Sequence, residues 1–282
     1  RQWRLHGVTA RQGRRQVPAS MTADIGATAD GGIGKKKMDW FLRGVWTIAL
    51  VGLFQVCGVH AADKVQVGET AQLIPLVAGK PYLHVIHEGR SVKVQRVQDP
   101  DYELKGYFAK TGRKCPPFCI QPVTPDSSVG TIAEVELFDF METKLRDGSG
   151  VLIDARTESW FRKGTIPGSV NYPFTLFGKD REDPELVAAI KSFGAKERGD
   201  VGATEKLLED WGWADARHKT EDWDFSMAKD LVLWCNGPAC GQSPRAIRGL
   251  LDVGYPGEKI SYYRGGMQMW QLWGLTTVVP RQ

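Results

Sequence analysis

The sequence predicts an α/β fold built on a parallel sheet, with a small β-rich domain in front of it. Three observations carry this expectation. Short apolar runs of strand type, Val151–Ile153 and Leu231–Trp234, alternate with segments of helical period. That alternation is the pattern of βαβ units in a parallel sheet. The two runs end in chemistry-bearing residues, Asp154 and Cys235. Ligands in such sheets bind beyond the C-terminal strand ends, where both residues are expected.

The chain opens on a segment that the fold does not need. Residues 1–37 are rich in Gly, Ala and Arg, lack any period and begin at Arg1, so they read as a non-native or disordered leader. Met38 is the preferred start, with Met21 as a second option. Residues 38–61 then show Arg43, an apolar run Val45–Val56, and Val59 and Ala61 at the −3 and −1 positions of a cleavage site. This is the plan of a secretory signal peptide cleaved after Ala61, which predicts a periplasmic or secreted protein with no membrane attachment after cleavage. The alternative is an uncleaved anchor over Phe41–Val59, barely long enough to cross a bilayer. Cys57 comes after Phe54-Gln55-Val56, a poor lipidation signal, and leaves with the signal peptide.

The formal net charge of +4 misleads. Residues 1–37 hold eight Lys/Arg against Asp24 and Asp30, and residues 62–282 are slightly acidic. No basic face is left to neutralise phosphates, which argues against nucleic acid as a partner. At 42% hydrophobic and 25% charged, the composition suits a globular protein with a real core.

Residues 62–130 form the expected β-rich domain. Tyr82–His87 and Ser91–Val97 are β-prone and flank Glu88-Gly89-Arg90, a hairpin pattern. Tyr102–Phe108 is read as a further strand. Cys115-Pro116-Pro117-Phe118-Cys119 reads as a loop closed by a disulfide, or else as two packed free thiols. Two cysteines this close with no histidine beside them are a weak metal signal, and no metal is expected. Gln121–Gly130 has the composition of a linker. The segment carries no catalytic constellation and is a candidate to dock on the second domain or on a protein partner.

Residues 131–282 form the second domain. Thr131 and Glu134 stand at capping-box spacing, and Val135, Leu137, Phe138, Met141 and Leu145 give the ensuing helix an apolar face. Gly148–Gly150 ends it before the strand at 151–153. Pro184–Phe193 is a further helix, and 194–225 is a longer charged connection holding Trp211, Trp213 and Trp223, expected to pack or to form a lid. After the strand at 231–234 and a Gly-containing loop comes a helix over 244–253, with Ser243 as its expected N-cap and Pro244 in its first turn. A strand at Lys259–Tyr263 and a helix at Met267–Trp273 close the chain. Trp160, Trp234 and Trp270 read as core.

The strand–Cys235–loop–helix order is the most informative feature. Backbone N–H groups of such a loop can converge on one centre, and the helix dipole adds positive potential there. Both favour a thiolate and an anion held beside it. Cys235 is therefore the candidate nucleophile, and Asn236, Gly237, Pro238, Ala239, Cys240, Gly241, Gln242 and Ser243 form its cradle. Cys240 stays open between a resolving thiol and a small residue facing the core. Arg156 and Arg264 come just after strand ends on one side of the predicted sheet and are candidate ligands for an anion. For Arg156 the alternative is an ion pair with Asp154 or Glu158 that holds its loop.

Three ordered motifs resemble one family. Ile153-Asp154-Ala155-Arg156 with Gly164-Thr165-Ile166-Pro167-Gly168-Ser169-Val170-Asn171-Tyr172-Pro173 resembles the signature after the first catalytic-domain strand of rhodanese-like domains. Leu231–Cys235 with its loop resembles their active-site strand, and Tyr263-Arg264-Gly265-Gly266-Met267 with Trp270 and Gly274 their closing motif. The resemblance covers about 131–280. It implies a five-stranded parallel sheet flanked by helices, preceded here by the β-rich domain, and a sulfurtransferase. In that class the loop cysteine takes a sulfane sulfur from a small anionic donor such as thiosulfate and passes it from a persulfide to a thiol or other thiophilic acceptor. It implies no metal and no organic cofactor. The chain departs from the family at Thr165, where histidine is usual, and in a loop about two residues longer than the common one. Related phosphatases place an arginine late in a long loop; here Ala239-Cys240-Gly241-Gln242 has none before Arg245. Two other classes remain open: a thiol–disulfide redox protein using Cys235 and Cys240, and a non-catalytic binding or sensor module.

Overall fold

Alternation of apolar and polar residues starts the described chain as a hairpin, β1 (Leu83–His87) against β2 (Arg90–Val94), with Leu83 opposite Val94. It buries Leu83, Val85 and His87 and exposes His84 and Ile86. Glu88 and Gly89, at φ 48° and 73°, form its two-residue turn, which demands positive φ at both positions. The computed structural model describes residues 74–281 apart from 200, 214 and 215. The expected leader, the signal peptide and residues 62–73 lie outside the described residues.

The strand expected at Tyr102–Phe108 is absent. Gly106 takes φ 82°, which breaks any extended run, and a 3₁₀ turn over Tyr107–Ala109 buries Phe108 instead. Next comes β3 (Gly130–Ile132), then α1 (Glu134–Glu142) and α2 (Lys144–Asp147). The helix start is therefore displaced from the expected Thr131. β-branched Thr131 and Ile132 are taken into the sheet, Ala133 holds the cap position, and the Glu136 carboxylate accepts from the Ala133 N–H at 3.0 Å.

Further along are β4 (Gly150–Asp154), the single turn α3 (Glu158–Phe161), β5 (Val170–Asn171) and α4 (Pro184–Ser192). Asp183 caps α4 by accepting from the N–H groups of Glu185 and Leu186. The long connection carries its own structure: β6 (Lys196–Glu197), α5 (Ala203–Asp210) and β7 (Trp223–Asp224), with β6 and β7 antiparallel. Trp223 is buried in the core, whereas Trp211 and Trp213 are exposed and stack edge to face. The chain ends with β8 (Asp230–Trp234), α6 (Gln242–Asp252), β9 (Ile260–Tyr263) and α7 (Gly266–Leu272).

The main sheet has five parallel strands in the order β3-β9-β8-β4-β5. Both faces are covered, which is why its central strands are almost wholly apolar. On one face Leu231, Leu233 and Tyr262 pack against Leu186, Ile190, Ile247 and Leu250. On the other, Leu152, Val232, Trp234 and Tyr263 pack against Leu137, Met141, Met267 and Trp270. Leu83, Val85, Val94 and Phe108 belong to this second cluster, so the described part of the N-terminal segment has no core of its own. The register sets Asp154 opposite Trp234, which brings Asp154 and Cys235 together at the C-terminal ends of β4 and β8 in the middle of the sheet.

Candidate active site

Cys235 comes directly after the last residue of β8, and its side chain sits under the loop leading to α6, only 1% exposed. The Ser243 hydroxyl donates to its sulfur at 2.9 Å. The N–H groups of Ser243 and Gly237 and the thiol of Cys240 also point at that sulfur. Burial is the largest effect on the thiol and pushes its pKa up. The donors from Cys240, Ser243 and Gly237 together outweigh burial and bring it down to about 7. In its neutral form Cys235 donates to the Cys240 carbonyl at 3.4 Å.

Hydrogen bonds from α7 and within the loop fix its shape around the sulfur. Met267 and Gln268, at the start of α7, donate to the carbonyls of Cys235 and Asn236 at 2.9 and 3.1 Å. Cys240 N–H donates to Gly237 O at 2.9 Å, closing a turn. Two glycines make the approach possible. Gly237 has φ 139°, and Gly266 has φ 52° with the position of a Cβ only 2.2 Å from the Cys235 carbonyl oxygen.

Ser243 is not the helix cap. Gly241 holds the cap position, α6 begins at Gln242, and Ser243 lies in the first turn with its hydroxyl on Cys235. Pro244 is tolerated there because first-turn N–H groups have no helical partner to lose. Cys240 is partly buried, with its sulfur 3.6 Å from Gln242 Oε1. The hydrogen bond with Cys235, burial and the Cys235 charge all push its pKa up, so it is held as a protonated thiol. Pro238, Ala239, Gly241 and Gln242 are partly exposed.

Arg156 does not join the cradle as an anion ligand. It is 1% exposed and clamps Asp154 through Nε at 2.8 Å and Nη2 at 2.6 Å, with a further bond to Gly164 O at 2.7 Å. Its guanidinium stacks over Trp234 and reaches Asn236 Oδ1 only at 3.5 Å. Three of its N–H donors are spent on Asp154 and Gly164 O, and burial keeps the guanidinium from being presented to a substrate. Thr165 donates to Asp154 Oδ2 at 2.9 Å and so completes this buried support.

Arg264 does stand beside the loop, partly exposed, but its donors hold the chain segment before β3. Nη2 and Nε donate to the carbonyls of Gln121 and Pro122 at 2.9 and 3.2 Å. Gln121 N–H in turn donates to Pro238 O at 2.8 Å, and its side chain donates to Cys119 O. The expected linker is thus a strap across the Cys235 loop, a role that neither spacing nor composition signalled. Cys115 and Cys119 form a disulfide, and Cys235 and Cys240 are free. A cavity of about 740 Å³ opens between this strap and the loop, lined among others by Lys110, Arg113, Cys119, Ala239 and Arg264. Tyr262, also missed from sequence, is fully buried with no hydrogen-bond partner for its hydroxyl among the described residues. No group of metal-ligating side chains occurs among the described residues.

Residues 139–272 match the family model of the rhodanese-like domain. No curated protein matches the chain. Similar solved structures include a protein of unknown function, possible tyrosine phosphatase, from Rhodopseudomonas palustris CGA009, at 17% identity and TM-score 0.31 over 52% of this chain and 83% of that one. A rhodanese-related protein from Thermoplasma volcanium is similar at 15% identity and TM-score 0.27, over 54% and 99%. The human single-domain sulfurtransferase is similar at 20% identity and TM-score 0.27, over 51% and 96%.

Proposed function

We propose that this chain, whose residues 139–272 are a rhodanese-like domain, moves a sulfane sulfur through a persulfide on Cys235. The observation that carries the reading is the thiolate-stabilising cradle: a buried sulfur facing the Ser243 hydroxyl at 2.9 Å and inward N–H groups. The Cys235 thiolate attacks the outer sulfur of a donor such as thiosulfate. The donor S–S bond breaks, sulfite leaves with the electron pair, and Cys235 holds a persulfide. An acceptor thiolate then attacks the outer sulfur and returns the electron pair to Cys235. The cradle donors stabilise negative charge at each stage, and their fixed orientation avoids reorganisation.

Phosphate chemistry fits less well. The loop brings no guanidinium to its centre, since Arg245 lies over Phe174 at 4.1 Å and donates to Gly241 O. A thiol–disulfide reading is favoured by one observation, the contact of the Cys235 sulfur with Cys240, whose carbonyl lies 3.4 Å from it, both cysteines being free. Export, read from residues 38–61, belongs to the proposal, and the Cys115–Cys119 disulfide supports it because such bonds persist in oxidising compartments.

Intact mass spectrometry after incubation with thiosulfate tests the reading. A gain of one sulfur atom is expected, absent in Cys235→Ser. No gain, or a gain that survives the substitution, would overturn it. Loss of two hydrogens with a Cys235–Cys240 bond would move the chain to the redox class.

A further inference from the structure

Sulfur transfer needs an acceptor, and two further cysteines stand in the segment that straps the Cys235 loop. Cys115 and Cys119 line the same cavity as Pro238 and Ala239 of the Cys235 loop. They are held there by a specific latch. Gln121, two residues after Cys119, donates its N–H to Pro238 O at 2.8 Å and its side-chain amide to Cys119 O at 2.8 Å. Arg264 clamps the next two carbonyls. The Cα atoms of the pair stand 4.7 Å apart, a span that closes and opens with little backbone movement.

The surroundings suit thiolates. Lys110, Arg113 and Arg264 line the same cavity, and none of them pairs with a carboxylate among the described residues. Arg113 lies over Tyr107 at 4.1 Å and near Phe118, inside the disulfide loop, at 5.4 Å. Cations lining the same cavity as a thiol favour its ionised form. Cys240 is the nearer cysteine, but its thiol is held protonated as a donor to Cys235, and a protonated thiol is a poor nucleophile.

We infer that Cys115 and Cys119, in their reduced form, are an internal dithiol acceptor that takes the sulfane sulfur from Cys235 and releases it as hydrogen sulfide. This rests on the sulfurtransferase reading. In the first step the Cys119 thiolate attacks the outer sulfur of the Cys235 persulfide. The persulfide S–S bond breaks, its electron pair returns to Cys235 as thiolate, and Cys119 carries the persulfide. In the second step the Cys115 thiolate attacks the Cys119 sulfur attached to carbon. The Cys115–Cys119 bond forms and hydrosulfide leaves with the electron pair, retaining a proton. One sulfane sulfur is reduced to sulfide and two thiols are oxidised to the disulfide seen in the structure. An external dithiol reductant is needed to restore the pair for the next cycle.

The test uses the full chain in two redox forms, with thiosulfate as the only added donor and no free thiol, under anaerobic conditions. Sulfide release is measured, and cysteine states are mapped by peptide mass. The reduced chain is expected to release one sulfide and to gain the Cys115–Cys119 bond. The oxidised chain is expected to load Cys235 and release none, a comparison that needs no substitution. Cys115→Ser, reduced, is expected to lose sulfide release while retaining the added sulfur. A persulfide that stays on Cys235 while Cys115 and Cys119 remain thiols would overturn the inference and leave the sulfurtransferase reading standing. A new bond mapped to Cys235 and Cys240 would overturn it as well. No sulfur on Cys235 in either form would sink the sulfurtransferase reading, and this inference with it.

Discussion

At Cys235 two opposed effects meet on one sulfur: burial disfavours the charge, and a set of donors fixed by the loop favours it more. The Ser243 hydroxyl, buried and 2.9 Å away, is the donor most open to test. Alkylation of Cys235 by iodoacetamide is expected to rise through a midpoint at about pH 7 in the native chain, below the ordinary thiol value of 9.0. Ser243→Ala should move that midpoint upward with the fold intact; an unmoved midpoint would remove Ser243 from the site. The linkage has a definite sign. The folded thiol is more acidic than the unfolded one, so its contribution to stability is full above the unfolded value and is lost as pH falls through about 7. The cysteine and its loop were legible in sequence because strand, cysteine, glycines and helix start succeed one another without a gap. The role of Ser243 was not. A serine before a proline reads as a cap, but a proline anywhere in the first turn is compatible with helix, so the pair does not fix which residue is the cap. Arg156 shows the converse. Both of its roles were visible, and only burial decides for the clamp on Asp154.

Elements place these residues through close contacts that a sequence shows only as glycine. Gly266 starts α7 against the Cys235 carbonyl, where an alanine Cβ would lie 2.2 Å from that oxygen. Gly266→Ala is therefore expected to push the loop and α7 apart, raising the Cys235 alkylation midpoint and destabilising the chain by about 1–3 kcal/mol, the usual cost of overpacking. Urea unfolding and the alkylation profile read the two effects separately, and a variant unchanged in both would show that the contact yields freely. Beneath the loop, the buried pair of Asp154 and Arg156 joins the ends of β4 and β8. Asp154→Asn leaves a buried guanidinium without its partner, a change that typically costs about 3–5 kcal/mol. A variant as stable as the native chain would refute that account. The long periodic elements, α1, α4, α6 and the apolar strands β4 and β8, were readable because their period repeats. The two-residue strands β5, β6 and β7 were not, since a pair of residues has no period and takes its conformation from its partner strand.

On the scale of the whole molecule, residues 74–129 are part of the same packed unit as the sheet. Gln95 and Thr276 exchange backbone and side-chain hydrogen bonds, and Val97 N–H donates to Gly274 O at 2.7 Å, so the segment after β2 is sewn to the end of the chain. Sequence texture set a boundary near residue 130, because composition changes there. Texture records what a segment is made of, whereas the packing depends on which apolar faces find each other. Leu83, Val85, Val94 and Phe108 find Leu137, Met141 and Trp270. Each fully buried side chain of this kind contributes about 1.5–3 kcal/mol. Their loss together is comparable with the about 5–15 kcal/mol that separates a folded domain from its unfolded chain. A chain beginning at residue 131 is accordingly expected to be unfolded or molten at room temperature, while one beginning at residue 74 unfolds in a single cooperative transition. Calorimetry of the two chains decides the matter. A shorter chain that melts at the temperature of the longer one would make the N-terminal segment an appendage, and the strap over the Cys235 loop would then have to be held by Gln121 and Arg264 alone.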